Sequence, residues 1–360
     1  LEITDNVIMS NGDLSHAYWI ETEDWHTAGE PFRIVVPQAL PSDLLSEGTT
    51  VAEKRLVVLG TPSHPLDVLR RTLCHEPRGH GDMYGCFITP PDDAGANFGA
   101  MFWHKDGFST ACGHGTIALG YWAVANGIVN VSKKEGVVDV VIDVPSGRVK
   151  ARVTMEDGRP VYADFVNCPS YVLTGRMPVT LPLVKGDIHV QFSYGGAVYG
   201  FVNANDVGVA IIPANVQEFV RLGRALKALI KDGVLAVPFS DEVYGIVFFR
   251  EIDQTEATLQ EHNITIFADG EVDRSPCGSA TSARLAIHFT NGKIRVGHGK
   301  LLNRSVIGTT FEGDLVPGDH VTIGSYSTCI TRVRGTANLV GKMKFFIDQA
   351  DPLYPGFLLQ

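Results

Sequence analysis

The amino-acid sequence predicts an α+β protein built from two similar β-rich domains, each wrapped around one central helix. Three observations carry this expectation. Short runs of branched and aromatic residues bounded by turn formers dominate the chain, which is the pattern of β-strands. Helical spacing is confined to a few stretches. Two of those stretches share a frame: residues 112–127, CGHGTIALGYWAVANG, and residues 277–292, CGSATSARLAIHFTNG. Each opens on Cys-Gly, has Thr at the fifth position and Ala at the seventh, and ends on Asn-Gly, a good helix stop. The match points to an internal duplication. The first domain is expected over 1–160 with the Cys112 helix, joined by the C-terminal segment 335–360. The second is expected over 161–334 with the Cys277 helix.

In chain order, strands are predicted at FRIVV (32–36), KRLVVL (54–59), GCFITP (85–90), GAMFWH (99–104), VVDVVIDV (137–144) and VKARVTM (149–155). The second half continues with DIHVQFS (187–193), GIVFFREI (245–252), ITIFA (264–268) and HVTIGSY (320–326). A third helix is predicted over 215–233, where Val220, Leu222, Leu226 and Ile230 fit a 3.6-residue period. Its Arg221, Arg224, Lys227 and Lys231 read as a solvated face. The two cysteine-led helices are mostly apolar or small and are expected to be buried.

A length of 360 residues suits two domains. A net charge of −10 argues against a nucleic-acid binder, which needs a basic face. No run of 18 apolar residues suggests a membrane span, and residues 1–13 show no signal-peptide pattern. The chain opens with Leu1. Six cysteines without a C-x-x-C pair suggest neither a disulfide framework nor a structural zinc site. A reducing, cytoplasmic setting is expected.

The chemistry is expected at the two cysteines. A helix N-terminus carries unpaired N–H groups and partial positive charge, so it favours a thiolate and can hold a carboxylate. Gly113 and Gly278 would let a ligand approach the backbone closely. Two such ends facing each other could hold a small carboxylate with one sulfur on each side of its α-carbon. One cysteine would remove a proton from one face, and the other would return one to the opposite face. His75, His80, Asp82 and His104 are close in sequence, but their spacing fits no standard metal-ligand pattern, so no metal is expected.

The segments ACGHGTIAL (111–119) and DRSPCGSATSA (273–283) resemble the two signature segments of the proline racemase family. DWHTAGEPFRIV (24–35), HEPRGHGDMYGCFITPP (75–91) and PLYPGF (352–357) agree with it, so the resemblance spans nearly the whole chain. It implies a diaminopimelate epimerase-like fold with the active site in the cleft between the domains. It also implies a cofactor-independent enzyme acting on proline or a hydroxyproline. Cys112 and Cys277 would be the acid/base pair, and His114 and Asp273 would hold the ring nitrogen. Backbone amides at Gly113, His114, Gly278 and Ser279 would hold the carboxylate, and Tyr84 and Phe267 would pack on the pyrrolidine ring.

Within the family, racemases and epimerases need two cysteines, whereas dehydratases usually replace one with Thr or Ser. Retention of both favours proline racemase, followed by trans-4-hydroxy-L-proline 2-epimerase and trans-3-hydroxy-L-proline dehydratase. The bulk of Tyr84 leaves less room for a 4-hydroxyl, and Ser279 and Ala280 replace the commoner Thr-Gly. A small-molecule substrate is the partner expected, with a homodimer as the default assembly. An imino-acid-binding descendant without activity would not need the intact pair. An epimerase for acyclic diamino acids would need polar groups for a second amino-carboxylate arm, which the signatures do not supply.

Overall fold

The computed structural model describes residues 17–40, 42–131, 135–182, 184–239, 242–255, 257–318 and 322–359. It is mostly β-structure with few helices. The strands of the first half are β1 (Tyr18–Thr27), β2 (Glu30–Val35), β3 (Gly85–Thr89), β4 (Phe98–His104), β5 (Gly107–Phe108), β6 (Gly136–Val144), β7 (Gly147–Glu156) and β8 (Arg159–Val166). Its helices are α1 (Val51–Gly60), α2 (Pro65–Cys74) and α3 (Gly113–Ala125).

The chain continues through β9 (Ser170–Val172), β10 (Met177–Thr180), β11 (Asp187–Tyr194), β12 (Val198–Asn203), β13 (Val243–Gln254), β14 (Thr258–Phe267) and β15 (Glu271–Asp273). It ends with β16 (Lys300–Arg304), β17 (Thr310–Val316), β18 (Thr328–Gly335) and β19 (Ala337–Ile347). The helices here are α4 (Ala204–Val207), α5 (Val216–Lys231) and α6 (Gly278–Thr290).

The pairing pattern repeats. In the first half β1–β2 is antiparallel, β2–β3 parallel, β3–β4 antiparallel and β4–β6 parallel, followed by antiparallel β6–β7, β7–β8 and β8–β18. In the second half β11–β12 is antiparallel, β12–β13 parallel, β13–β14 antiparallel and β14–β16 parallel, followed by antiparallel β16–β17 and β17–β18. The second series closes through β18–β9 and β9–β11, giving a ring of eight strands. In the first, β1 pairs with β19, which one residue separates from β18. Closing a sheet on itself removes its exposed edges.

Helix α3 packs against β1, β7, β8 and β19, and α6 packs against β9, β11, β17 and β18. Small residues let them sit close: a Cβ added at Gly120 of α3 would lie 2.8 Å from the Ala151 Cβ of β7. The two helices also stop alike. Gly127 and Gly292 are left-handed, at φ +64° and +70°. The N–H groups of Ile128 and Lys293 reach back to the carbonyls of Ala123 and His288, each at 2.9 Å.

Two sequence expectations are corrected, and one helix lies outside them. KRLVVL (54–59) lies in helix α1, not in a strand. Thr50 caps it and forms a reciprocal capping box with Glu53, which outweighs the β-preference of the branched residues. Helix α2 went unpredicted, although Pro65 begins it and Leu66, Leu69 and Leu73 form its buried face. Of HVTIGSY, residues 320 and 321 lie outside the described residues. The remainder is a tight turn bridged between Ile323 and Tyr326. No helix among the described residues is long and apolar enough to cross a membrane.

Beneath α6 lies a buried ion cluster. Arg284 and His288 both bond the carboxylate of Glu261, at 2.7 and 2.9 Å, and Arg284 stacks on Phe249 at 3.6 Å. Burial alone would raise the Glu261 pKa, but the Arg284 charge and the His288 hydrogen bond overcome it and hold the carboxyl well below its usual range. A depressed carboxyl pKa stabilises the fold above the unfolded value of about 4.3 and loses that contribution as pH falls through the folded value. Glu261→Gln leaves buried Arg284 with only the exposed carboxylate of Glu251 as counter-charge, at 3.3 Å. It is expected to cost about 3–5 kcal/mol at pH 7, with the deficit shrinking below about pH 4, as read by urea unfolding.

Candidate active site

The two cysteines stand at the heads of the two central helices. Cys112 is the N-cap of α3 in an extended conformation, and its Sγ accepts the Gly115 N–H at 3.1 Å. Both ring nitrogens of His114 lie 3.5 Å from that sulfur. Cys277 precedes α6 with φ +60° and ψ 107°, a conformation that a non-glycine residue holds only at a cost of about 1–3 kcal/mol. Its Sγ lies 3.7 Å from the Tyr199 hydroxyl and 3.8 Å from Ser279 Oγ, and those two hydroxyls are 2.7 Å apart.

The helix heads meet backbone to backbone. A Cβ added at Gly113 would fall 2.6 Å from Gly278 Cα, and one at Gly278 would fall 2.7 Å from Gly113 Cα. The sequence frame thus places both thiols and the first-turn N–H groups at Gly113, His114, Gly278 and Ser279 around one centre. Cys112 and Cys277 are only 4% and 6% exposed.

That burial reverses one electrostatic expectation. Desolvation pushes the Cys112 thiol pKa well up despite the opposing Gly115 N–H, and nearby Asp273 adds to the rise. Burial and then the Asp273 charge do the same to Cys277, against hydrogen bonds from Ala280 and Tyr199. The helix ends therefore moderate a rise in thiol pKa; they do not produce a net fall. His114 is buried as well, which lowers its pKa to about 3 and keeps the imidazole neutral.

Asp273 ends β15, and its Oδ1 accepts both the N–H and the hydroxyl of Ser275, at 2.8 and 2.7 Å. Burial outweighs those bonds and raises its pKa to about 6. Ser275 Oγ in turn accepts the Cys277 N–H at 3.0 Å.

Tyr84 and Phe267 lie beside this centre with ring centroids 5.9 Å apart, and the Tyr84 ring meets His114 edge-on at 5.0 Å. Two tyrosines that sequence reading missed complete the wall. Tyr244 stacks on Phe267 at 5.6 Å with its hydroxyl 3.2 Å from that of Tyr84, and Tyr199 meets the Tyr244 ring at 5.9 Å. Neither carries a local signal, because β12 and β13 bring them in from elsewhere in the chain. The Tyr84 hydroxyl also bonds Ser109.

The sequence-adjacent group His75, His80, Asp82 and His104 disperses. His75 Nε2 bonds the Lys105 carbonyl at 3.0 Å, and His80 Nδ1 accepts the Asp82 N–H at 3.2 Å. Asp82 pairs with Arg274 at 2.8 Å, and His104 Nδ1 lies 3.3 Å from Glu271. Ligand atoms of His104, Asp106 and Glu271 lie within 4.8 Å of one another. Protein donors already engage two of the three: Asp106 takes Lys105 and the Asp269 N–H, and His104 Nδ1 takes the Asp106 N–H.

Two strand series of the same pairing order, whose packed helices meet head to head and each bring a cysteine to the junction, define the class of fold. Residues 23–358 match the family model described as proline racemase. The chain belongs to the proline racemase family, enzymes that include racemases, epimerases and a dehydratase. It is 33% identical to the proline racemase of Clostridioides difficile over 345 residues, covering 95% of this chain and 98% of that one. It is 34% identical to a trans-3-hydroxy-L-proline dehydratase of Bacillus cereus, covering 94% and 97%. A solved hydroxyproline epimerase from Agrobacterium vitis, with bound trans-4-hydroxy-L-proline, superposes with a TM-score of 0.81 at 26% identity, covering 95% and 96%.

Proposed function

We propose that this enzyme inverts the α-carbon of proline by exchanging protons between Cys112 and Cys277, with trans-4-hydroxy-L-proline as the second candidate substrate. The observation that carries the reading is the pair of buried thiols at helix heads that touch through Gly113 and Gly278. One sulfur, as thiolate, takes the Cα proton. The electron pair moves toward the carboxylate, which the N–H groups of Gly113, His114, Gly278 and Ser279 hold. The other thiol protonates the opposite face. Asp273 and neutral His114 hold the ring ammonium, and Tyr84 and Phe267 pack on the pyrrolidine. The chemistry draws only on the chain's own groups, in a dry site where such donors act strongly. In this reading the halves are two diaminopimelate epimerase-like domains, with segment 335–360 belonging to the first.

A second reading, dehydration of trans-3-hydroxy-L-proline, is favoured by the similarity to dehydratases at 34% identity. It removes the same proton and expels hydroxide from the adjacent carbon. Proton NMR in D2O with L-proline, trans-4-hydroxy-L-proline and trans-3-hydroxy-L-proline separates these readings. Deuterium at Cα with accumulation of D-proline is the expected result. Exchange confined to the 4-hydroxy compound, or loss of the 3-hydroxy compound to an imine, overturns it in favour of the corresponding activity.

The raised thiol pKa values set the pH response. The working form holds one thiolate and one thiol, so activity depends on the first ionisation of the pair. Burial lifts that ionisation, so kcat/KM should still be rising above the ordinary thiol value of about 8.5 and fall once both sulfurs ionise. Below the first pKa it should drop about tenfold per pH unit. A flat profile between about pH 6 and 10, with chemistry limiting, would sink the two-thiol scheme.

A further inference from the structure

Glu30 drew no attention in the sequence, yet it links the first half to the turn that carries Cys277. It opens β2 just after the left-handed pair Ala28 and Gly29, and it is fully buried. Its Oε2 accepts the backbone N–H of Arg274 at 2.7 Å, while its Oε1, also buried, has no hydrogen-bond partner among the described residues. At the same hairpin end, Thr27 Oγ1 donates to the His114 carbonyl at 2.9 Å. One turn of chain is therefore bonded both to the head of α3 and to the segment leading into α6. Asp82 supports the same segment, accepting the Val272 N–H at 3.1 Å and pairing with the Arg274 guanidinium.

We propose that Glu30 is a positioning residue that sets Asp273 and Cys277 against the head of α3 by accepting the Arg274 N–H. This rests on the two-thiol reading above. Arg274 lies next to Asp273, and the bonds continue from Asp273 through Ser275 to the Cys277 N–H. Cys277 sits in a strained conformation, which persists only where its surroundings over-determine it. The Glu30 acceptor is one of those constraints, and it comes from the opposite half.

The surroundings of the carboxyl favour its uncharged form. Burial first, then the Asp273 charge, push its pKa well up against the opposing Arg274, with Asp82 adding to the rise. The carboxyl accepts the Arg274 N–H through one oxygen, and a glutamine amide has the same shape and the same acceptor. Aspartate keeps the carboxyl but, one methylene shorter, draws the acceptor away from Arg274.

The test compares Glu30→Gln and Glu30→Asp in the full chain, with Cys277→Ser alongside. The substrate is whichever imino acid the wild type exchanges, and inversion is followed by chiral chromatography. Glu30→Gln should keep kcat within about threefold of wild type, while Glu30→Asp should lose about ten- to a hundredfold in kcat with KM changed less than about threefold. The inference is overturned if Glu30→Asp keeps wild-type kcat, or if Glu30→Gln falls as far as Glu30→Asp. Failure of the underlying reading shows separately, as a Cys277→Ser enzyme that inverts substrate at the wild-type rate.

Discussion

Replacing either Cys112 or Cys277 with serine should lower interconversion of L- and D-proline by about 10²–10⁴-fold, the range that a positioned acid or base contributes. The loss should be this large because the proposed mechanism gives each face of the α-carbon one sulfur. A serine hydroxyl keeps the size and the hydrogen-bonding atom. At Cys112 it could still accept the Gly115 N–H that the sulfur takes at 3.1 Å. It ionises far above the thiol range, however, so it cannot serve as the base. A single variant retains one thiol and should still exchange solvent deuterium into one enantiomer without releasing the other. NMR in D2O beside chiral chromatography separates exchange from inversion. Two single variants that both racemise at wild-type rates would leave the proton transfer to other groups and end the two-thiol mechanism.

The parts of this site that could be read from the sequence are those carried by short, continuous motifs. Cys112 with Gly113 and His114, and Asp273 through Ser279, are local segments at the heads of buried helices, although Cys277 takes a left-handed backbone and, unlike Cys112, makes no side-chain cap bond. The matching helix ends were also legible, because Cys-Gly and Asn-Gly mark the two ends of both helices, and the glycines at 127 and 292 do take the left-handed conformation. Glu30, Tyr199 and Tyr244 were not legible. Each gains its meaning from a partner far along the chain: Arg274 for Glu30, Cys277 for Tyr199 and Tyr84 for Tyr244.

Helices α1 and α2 differ from the expectation for another reason. Both carry local signals, the Thr50–Glu53 box and Pro65, and at α1 the branched residues of KRLVVL mask the cap. The rise in thiol pKa was out of reach for the same reason as the tyrosines. A helix head favours a thiolate locally, whereas desolvation is set by everything the two halves bury together, and at these sulfurs it is the larger effect.

The closeness of the helix heads makes a second large effect testable without touching a thiol. Gly113→Ala or Gly278→Ala should each lower kcat about 100-fold while leaving the fold intact. The added methyl would sit 2.6 or 2.7 Å from the opposing Cα, whereas ordinary contact begins near 3.4 Å. The backbone atoms it meets cannot rotate aside, so the heads must part by close to an ångström, and a displacement of that size can cost about 10²-fold in rate. Gly60→Ala serves as the control, since nothing lies within 4 Å of the added atom. If the Gly113 and Gly278 variants match that control in kcat, then the working enzyme holds its helix heads apart. The carboxylate would then bind across a gap rather than at a closed junction, and Glu30 would be holding the Cys277 turn in a position that catalysis does not use.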